Sequence, residues 1–283
     1  MAIPIINHWH SYYESPHEGL GSSYERVILN RLILSLHDES TYESALESPC
    51  FGFTGISGIN LVALAQRSCK IHLEDHDATR IFLIRQTWEE LGQQVHLRLN
   101  ESYRKLDYPD KSIDFGFNFS ALWFVEDLPD YLGELCRVIR GDILLCVPNQ
   151  SGIGFKGQLK GYSPELYPRL KPKYIDPQSI TYLMKKNGWN LVDADFIDCP
   201  PWPDIGMSKE DYLATIFDKD VSQRDRQERV RQRPAKELSI LPFYRGEDPE
   251  FPKRMMRYYP FEKLAPSILK RFWAHHYYML FRS

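Results

Sequence analysis

Residues 51–60 read FGFTGISGIN, with glycines at 52, 55 and 58 and Thr54 between the first two. Glycine has no Cβ, so three of them at this spacing let the chain turn tightly and bring its N–H groups close to a ligand. The apolar run LVALAQ follows directly, and the free N–H groups that open a helix favour an electron-rich partner. Further on, KIHLED reads as a strand ending in Glu74 and Asp75, the latter 17 residues beyond Gly58. A carboxylate at about this distance, on the next strand of a parallel sheet, accepts hydrogen bonds from the ribose hydroxyls of an adenosine. Successive strand side chains point to opposite faces, so one of the two carboxylates enters such a site. Together the glycine turn and the acidic strand end favour a nucleoside-containing ligand over a purely structural turn.

Further groups of residues could carry chemistry. The amino-terminal HWHSYY supplies His8, His10, Tyr12 and Tyr13; these either remove a proton from an acceptor and contact it, or pack as an aromatic arm. Trp123, in NFSALWFV, offers a π face to a cation or a bulky side chain to the core. In CPPWPD three prolines stiffen the chain around Trp202 and Asp204, which makes both candidates to touch a substrate. His275 and His276 open the strand-like HHYYMLFRS, one pointing to each face, and read as structural. The five cysteines are scattered with no C-x-x-C pair, so neither a disulfide framework nor a metal site is expected.

These residues need a scaffold, and the hydrophobic pattern describes one. Strand-like SALE, KIHLED, VHLRL, IDFGFNF, DILLCVP and WNLVDADFID alternate with helix-like runs at 60–66, ATRIFLIRQTWEELG, DLPDYLGELCRVIR and DPQSITYLMKKNG. That alternation implies right-handed crossovers and an α/β fold whose mostly parallel, doubly wound sheet is covered on both faces. Asp127 and Asp176 stand where helix caps are needed, Pro177 at a first helical position, and Gly92 and Gly188 at helix ends. Ahead of the alternation, SSYERVILNRLILSLHD opens on Ser22-x-x-Glu25, which reads as a reciprocal cap, with Val27, Ile28, Leu32 and Leu36 on a buried stripe. The chain divides into an arm and helix over 1–43, a core over 44–199, a helical insertion or lid over 200–273, and a last strand over 274–283.

Within this frame the chain resembles the class I S-adenosylmethionine-dependent methyltransferases, particularly their small-molecule branch, over about residues 45–198. The resemblance rests on ALESPCFGFTGISG, LEDHD, ESYRKLDYPDKSID and ELCRVIRGD, which follow in the family's order. GFTGISGIN is also similar to the loop of a prokaryotic subgroup of that family. The resemblance implies a Rossmann-like, seven-stranded sheet with an antiparallel last strand. It implies S-adenosylmethionine as cofactor, S-adenosylhomocysteine as product, and in-line methyl displacement as the reaction. On the family pattern, Glu47 closes the first strand, and Gly52, Thr54, Gly55 and Gly58 lie under the methionine part of the cofactor. Asp75 then holds the ribose, Glu101, Ser102 and Tyr103 meet the adenine edge, and the Asn118 carbonyl meets the cofactor's amino group. NFSALWFV stands where some members carry N-P-P-Y, which argues against amide or base N-methylation.

Composition narrows the field. A chain of 283 residues, 43% hydrophobic and 26% charged, is long enough for one enlarged globular domain. Its net charge of -3 gives no reason to expect a nucleic-acid partner, although 15 basic residues outnumber 11 acidic ones between Ile205 and Trp273. No apolar run approaches the roughly 18 residues of a bilayer span, and MAIPIINHWHSYY lacks the apolar core of a signal peptide, so a cytoplasmic protein is expected. The expected partner is a small-molecule methyl acceptor, with a homodimer left open. Two other readings compete. A nicotinamide-dependent oxidoreductase shares the ribose clamp but should show G-x-G-x-x-G; a catalytically silent cofactor-binding protein would use residues 200–273 as an interaction surface.

Overall fold

The computed structural model describes residues 2–52, 55–155, 159, 161–201 and 238–283. Thr54, Trp202 and Asp204 lie outside the described residues. Seven strands form one sheet: β1 (Ser44–Glu47), β2 (Lys70–Asp75), β3 (His96–Leu99), β4 (Ile113–Phe119), β5 (Ile139–Pro148), β6 (Asn190–Ile197) and β7 (His276–Arg282), in the order β3-β2-β1-β4-β5-β7-β6. Pairing is parallel from β3 through β5, while β7 lies antiparallel between β5 and β6. This is the Rossmann-like arrangement that the alternation and the resemblance imply. The order reverses between β1 and β4, which opens the ligand crevice beyond the carboxyl ends of those strands.

Burial explains why the central strands lack an apolar-polar alternation. Every residue of β4 is buried, because helices cover both faces of a parallel sheet. Neighbouring residues separate onto two cores. Ala45, Phe115, Phe117 and Leu144 pack with helix Gly19–Ser40 and Trp88, whereas Leu46, Ile143 and Leu145 pack with helices Leu128–Val138 and Pro177–Lys186. Asp127 and Asp176 cap those last two helices through the N–H groups of Asp130 and Ser179, and Asp77 caps helix Ala78–Glu90 through that of Arg80. None of the helices among the described residues is long and apolar enough to cross a membrane.

Two local expectations change. The first long helix starts at Gly19, so Ser22 and Glu25 lie inside it and form no reciprocal cap. The cause is that its acidic side chains have partners elsewhere: Glu18 meets Arg26 and Ile56, and Glu25 meets His276. Ser23 through Asn30 are buried consecutively, so this half of the helix is enclosed on all sides and shows more than the apolar stripe. The helix expected over 60–66 is a single turn, Val62–Ala65.

Residues 238–273 contribute short helices, among them Leu241–Tyr244, Phe251–Met255, Tyr259–Leu264 and Ser267–Trp273. Asn30 donates to the Tyr244 hydroxyl at 2.8 Å, tying them to the long helix. The chain returns to the sheet where it left. His275 N–H donates to the Asp198 carbonyl at 2.9 Å, and Trp273 Nε1 donates to the Pro200 carbonyl at 2.7 Å.

Gly58 joins the loop to the helix that covers it. Its φ is +72°, a Cβ there would stand 2.8 Å from Ile84 Cδ1, and its carbonyl accepts from Trp88 Nε1 at 2.8 Å. Left-handed strain and overpacking act together, so Gly58→Ala is expected to lower the unfolding free energy by about 1–3 kcal/mol. Urea denaturation measures this; an unchanged midpoint would mean that the loop relaxes around the methyl group.

Candidate functional site

The loop after β1 carries three glycines for different steric reasons. A Cβ on Gly52 would lie 2.6 Å from the Ser120 carbonyl oxygen and 2.7 Å from that of Phe119, so only glycine lets this loop rest on the end of β4. A Cβ on Gly55 would collide with the carboxylate of Glu18. That carboxylate reaches the loop from the start of the long helix. Its Oε1 accepts from Ile56 N–H at 3.0 Å, Arg26 Nε at 2.7 Å and Arg26 Nη2 at 2.5 Å. Arg26 also donates to the Ile56 carbonyl at 2.5 Å and to Asn60 Oδ1 at 2.8 Å, while Asn60 Nδ2 donates to Glu47 Oε1 at 2.6 Å. A continuous polar chain, Glu18–Arg26–Asn60–Glu47, therefore lines the inside of the loop.

Among the described residues, two acceptors in this polar chain have no hydrogen-bond partner. Glu18 Oε2 and Glu47 Oε2 are buried and unsatisfied, as is the neighbouring Ser57 Oγ. Burial pushes the Glu47 carboxyl up to about 8, and neither the Asn60 bond nor the Arg26 charge offsets it. Unmatched acceptors in a dry interior are costly unless a donor completes them, so the inner end of the loop is built for a cationic or strongly donating group.

The acidic end of β2 differs. Asp75 is fully buried, and its two oxygens are already engaged by Asp77 N–H at 2.9 Å, Arg80 Nη2 at 2.5 Å, Arg80 Nε at 2.8 Å and, more weakly, Cys50 Sγ at 3.7 Å. Arg80 lies on the first turn of helix Ala78–Glu90, with its guanidinium 3.7 Å from the Phe51 ring centroid and 4.8 Å from that of Trp9. A bidentate pair of this kind is geometrically strong. In this conformation Arg80 holds the oxygens that a ribose would need. Glu74, the other carboxylate, faces away and accepts from Ser48 Oγ and Asn100 Nδ2, both at 2.9 Å.

The remaining expected residues divide. Tyr13 donates to the Ser57 carbonyl at 3.1 Å, so the amino-terminal arm packs on the glycine loop. His8 and His10 are exposed on that arm and do not reach the crevice; the buried Trp9 between them does. Burial, with the Glu18 charge adding to it, raises the Tyr12 phenol, so Tyr12 is no phenolate base near neutral pH. Trp123 is packed in the core, and no cation lies against its ring among the described residues. Tyr103 is buried with its hydroxyl 2.9 Å from His76 Nδ1, Ser102 and Glu101 lie beside it on the surface side, and Asn118 donates to the Ser48 carbonyl at 2.8 Å. Arg80, Arg26 and Glu18 are not singled out by sequence reasoning. The available signal was an arginine one helical turn past an acidic strand end, and charged residues inside an apolar helix.

A cavity of about 340 Å³ opens beside Arg80, walled by Trp9, Phe51, His76, Phe124 and Tyr167. Its flat apolar walls suit an aromatic ring.

Comparison with known proteins bears on the fold and on the central part of the chain. Residues 54–147 match a methyltransferase domain family. The fold is similar to that of a protein from Galdieria sulphuraria assigned as a sarcosine dimethylglycine methyltransferase, at 12% identity and a TM-score of 0.52 over 89% of this chain and 84% of that one. Geranyl diphosphate methyltransferase in complex with S-adenosylmethionine is 13% identical, with a TM-score of 0.49 over 89% and 84% of the two chains. The [4+2]-cyclase SpnF is also 13% identical, with a TM-score of 0.49 over 90% and 80%. No curated protein matches the chain.

Two outcomes follow from the charges. Arg80→Met leaves Asp75 buried and unpaired and should cost about 3–5 kcal/mol of stability in urea unfolding; a loss below about 1 kcal/mol, the scale of an exposed pair, would show that the pair is dispensable. For Glu47 the folded-state value lies above the ordinary 4.5. Its contribution to stability is therefore present below that value and is lost as pH rises through about 8. Glu47→Gln keeps an acceptor for Asn60 and should flatten the melting temperature against pH over this window. A slope identical to that of the wild type would assign the loss to another group.

Proposed function

We propose, from the match of residues 54–147 to a methyltransferase domain family, that this chain binds S-adenosylmethionine at the carboxyl ends of β1, β2 and β4 and transfers its methyl group to a small-molecule acceptor. The observation that carries the reading is the pair of buried carboxylates, Glu47 and Asp75, that close adjacent parallel strands around one glycine loop. The unsatisfied oxygens of Glu18 and Glu47 match an α-ammonium, which is the cationic end of the amino-acid part of such a cofactor. The ribose end fits on one condition. Arg80 must release Asp75, since the carboxylate's oxygens are otherwise taken. The walls of Trp9, Phe51 and Phe124 beside it offer stacking faces to a purine.

The bound cofactor supplies a methyl group on a positively charged sulfur. The protein's own residues then have to align, enclose and neutralise. Gly52, lying on the end of β4, fixes the depth of the loop. Tyr13, bound to the Ser57 carbonyl, holds the arm across it and keeps water out. Alignment alone can contribute roughly 7–11 kcal/mol to such a displacement, so an acceptor that is already nucleophilic needs no base. His8, His10, Tyr12 and Trp123 contribute no proton acceptor in this arrangement, and the proposal assigns them none.

Calorimetric titration with S-adenosylhomocysteine and with NADH tests the reading. We expect a one-to-one isotherm with the first and none with the second. Binding of NADH alone would favour the oxidoreductase reading, and binding of neither would reject both. Because Arg80 competes with the ribose for Asp75, folded Arg80→Met should bind S-adenosylhomocysteine more tightly than the wild type. Weaker binding would place the guanidinium among the ligand's contacts instead.

A further inference from the structure

A second polar cluster lies outside this cradle, at the carboxyl ends of β4, β5 and β6. Glu25 projects from the long helix, Asp198 follows β6, and His276 opens β7. All three are buried, to 5%, 1% and 9% exposure. One donor atom from each lies within 4.8 Å of the other two.

Their interactions leave the cluster incomplete. His276 Nδ1 is 2.6 Å from Glu25 Oε1, yet neither atom makes a hydrogen bond of acceptable geometry. Asp198 Oδ2 lies 2.6 Å from His275 Nδ1, and Asp198 Oδ1 has no hydrogen-bond partner among the described residues. Asp198 sits at φ +62°, a region that a non-glycine residue rarely adopts. A third carboxylate, Glu262, stands behind: it accepts from Asp198 N–H at 3.1 Å and from the Tyr24 hydroxyl at 2.6 Å. Among the described residues, no Lys or Arg forms an ion pair with Glu25, Asp198 or Glu262. Glu25 and Asp198 each face an imidazole instead, which carries a positive charge only when protonated; a metal ion among them supplies that charge without a proton.

We propose that Glu25, Asp198 and His276 form a binding site for one divalent first-row transition-metal ion. Two carboxylate oxygens and one imidazole nitrogen are a borderline donor set that suits such ions better than magnesium or calcium, which prefer oxygen alone. Donors about 2.0–2.2 Å from a common centre are at most about 4.4 Å apart, close to the 4.8 Å within which these three atoms lie, and the 2.6 Å contact between His276 and Glu25 would open to admit the ion. Binding takes the unprotonated form of His276 Nδ1, so a proton carried there is released to solvent. Glu262, through Asp198 N–H, and His275, through Asp198 Oδ2, hold the central carboxylate in orientation. Three protein ligands leave at least one coordination position for water or for an oxygen of a bound molecule. The Phe119 ring, 4.5 Å from that of His276, separates this site from Gly52, against which the Phe119 carbonyl rests. The ion would therefore stand on the far side of β4 from the glycine loop, and its existence does not depend on the methyltransferase reading.

The test uses the full chain, stripped with a chelator and titrated with cobalt(II) chloride, with magnesium chloride as the hard-ion control. We expect visible ligand-field absorption that saturates at one cobalt per chain, together with a rise in melting temperature that magnesium does not reproduce. His276→Gln and Asp198→Asn preserve shape while weakening or removing a ligand, and each should reduce cobalt affinity by about tenfold or more. Circular dichroism verifies that the variants fold; if either does not, the wild-type titration decides by itself. Absence of saturable absorption in the folded wild type at millimolar cobalt would overturn the site. So would undiminished affinity in both folded variants.

Discussion

The crevice is organised around two arginines, each clamped to a buried carboxylate. Arg80 on Asp75 joins the end of β2 to the first turn of the next helix, and its flat guanidinium is covered by Phe51 from the glycine loop and Trp9 from the amino-terminal arm. Arg26 on Glu18 does the same for the inner side of the loop. Desolvated ions of this sort are tolerated only when the pairing geometry is good and the remaining donors are met. Arm, loop, strand end and helix are thus held in mutual register by charges that cannot be separated cheaply. Any ligand that uses Asp75 has to offer Arg80 an alternative.

The long helix serves two sites with two adjacent residues. Arg26 turns to the glycine loop, while Glu25 turns to the ends of β6 and β7. Consecutive helical residues diverge by about 100°, so one backbone segment borders both the inner end of the cradle and the outer cluster. A shift of this helix along its axis would disturb both at once, which gives the enclosure from Ser23 to Asn30 a functional meaning beyond packing.

Much of the frame was legible because it rests on local rules. The caps at Asp127 and Asp176, the helix stops at Gly92 and Gly188 and the apolar β4 each follow from a few neighbouring residues, and together they imply the parallel sheet. The position of Glu47 and Asp75 beside the loop was legible for the same reason. What those carboxylates touch was not. Asp75 meets Arg80 and Glu18 meets Arg26 only after helices fold onto strands, and no spacing rule distinguishes a carboxylate reserved for a ligand from one held by an internal arginine. The reciprocal cap at Ser22 and Glu25 failed on the same ground, because a distant imidazole claims Glu25. His276, set aside as a strand residue, gains interest only from neighbours far away in the chain.

The point where residues 199–275 depart from and rejoin the sheet is a narrow gate. Hydrogen bonds from His275 to Asp198 and from Trp273 to Pro200 cinch the two chain strands together, and Lys270 and Glu262 from the returning segment bond Asp195 in β6 and Asp198 just after it. Loop-closure entropy grows only slowly with length. An excursion tied at its base, and again by the core packing of Ile240, Leu241, Tyr244, Phe251 and Met255, can change length between those anchors while the β-ladder keeps its register.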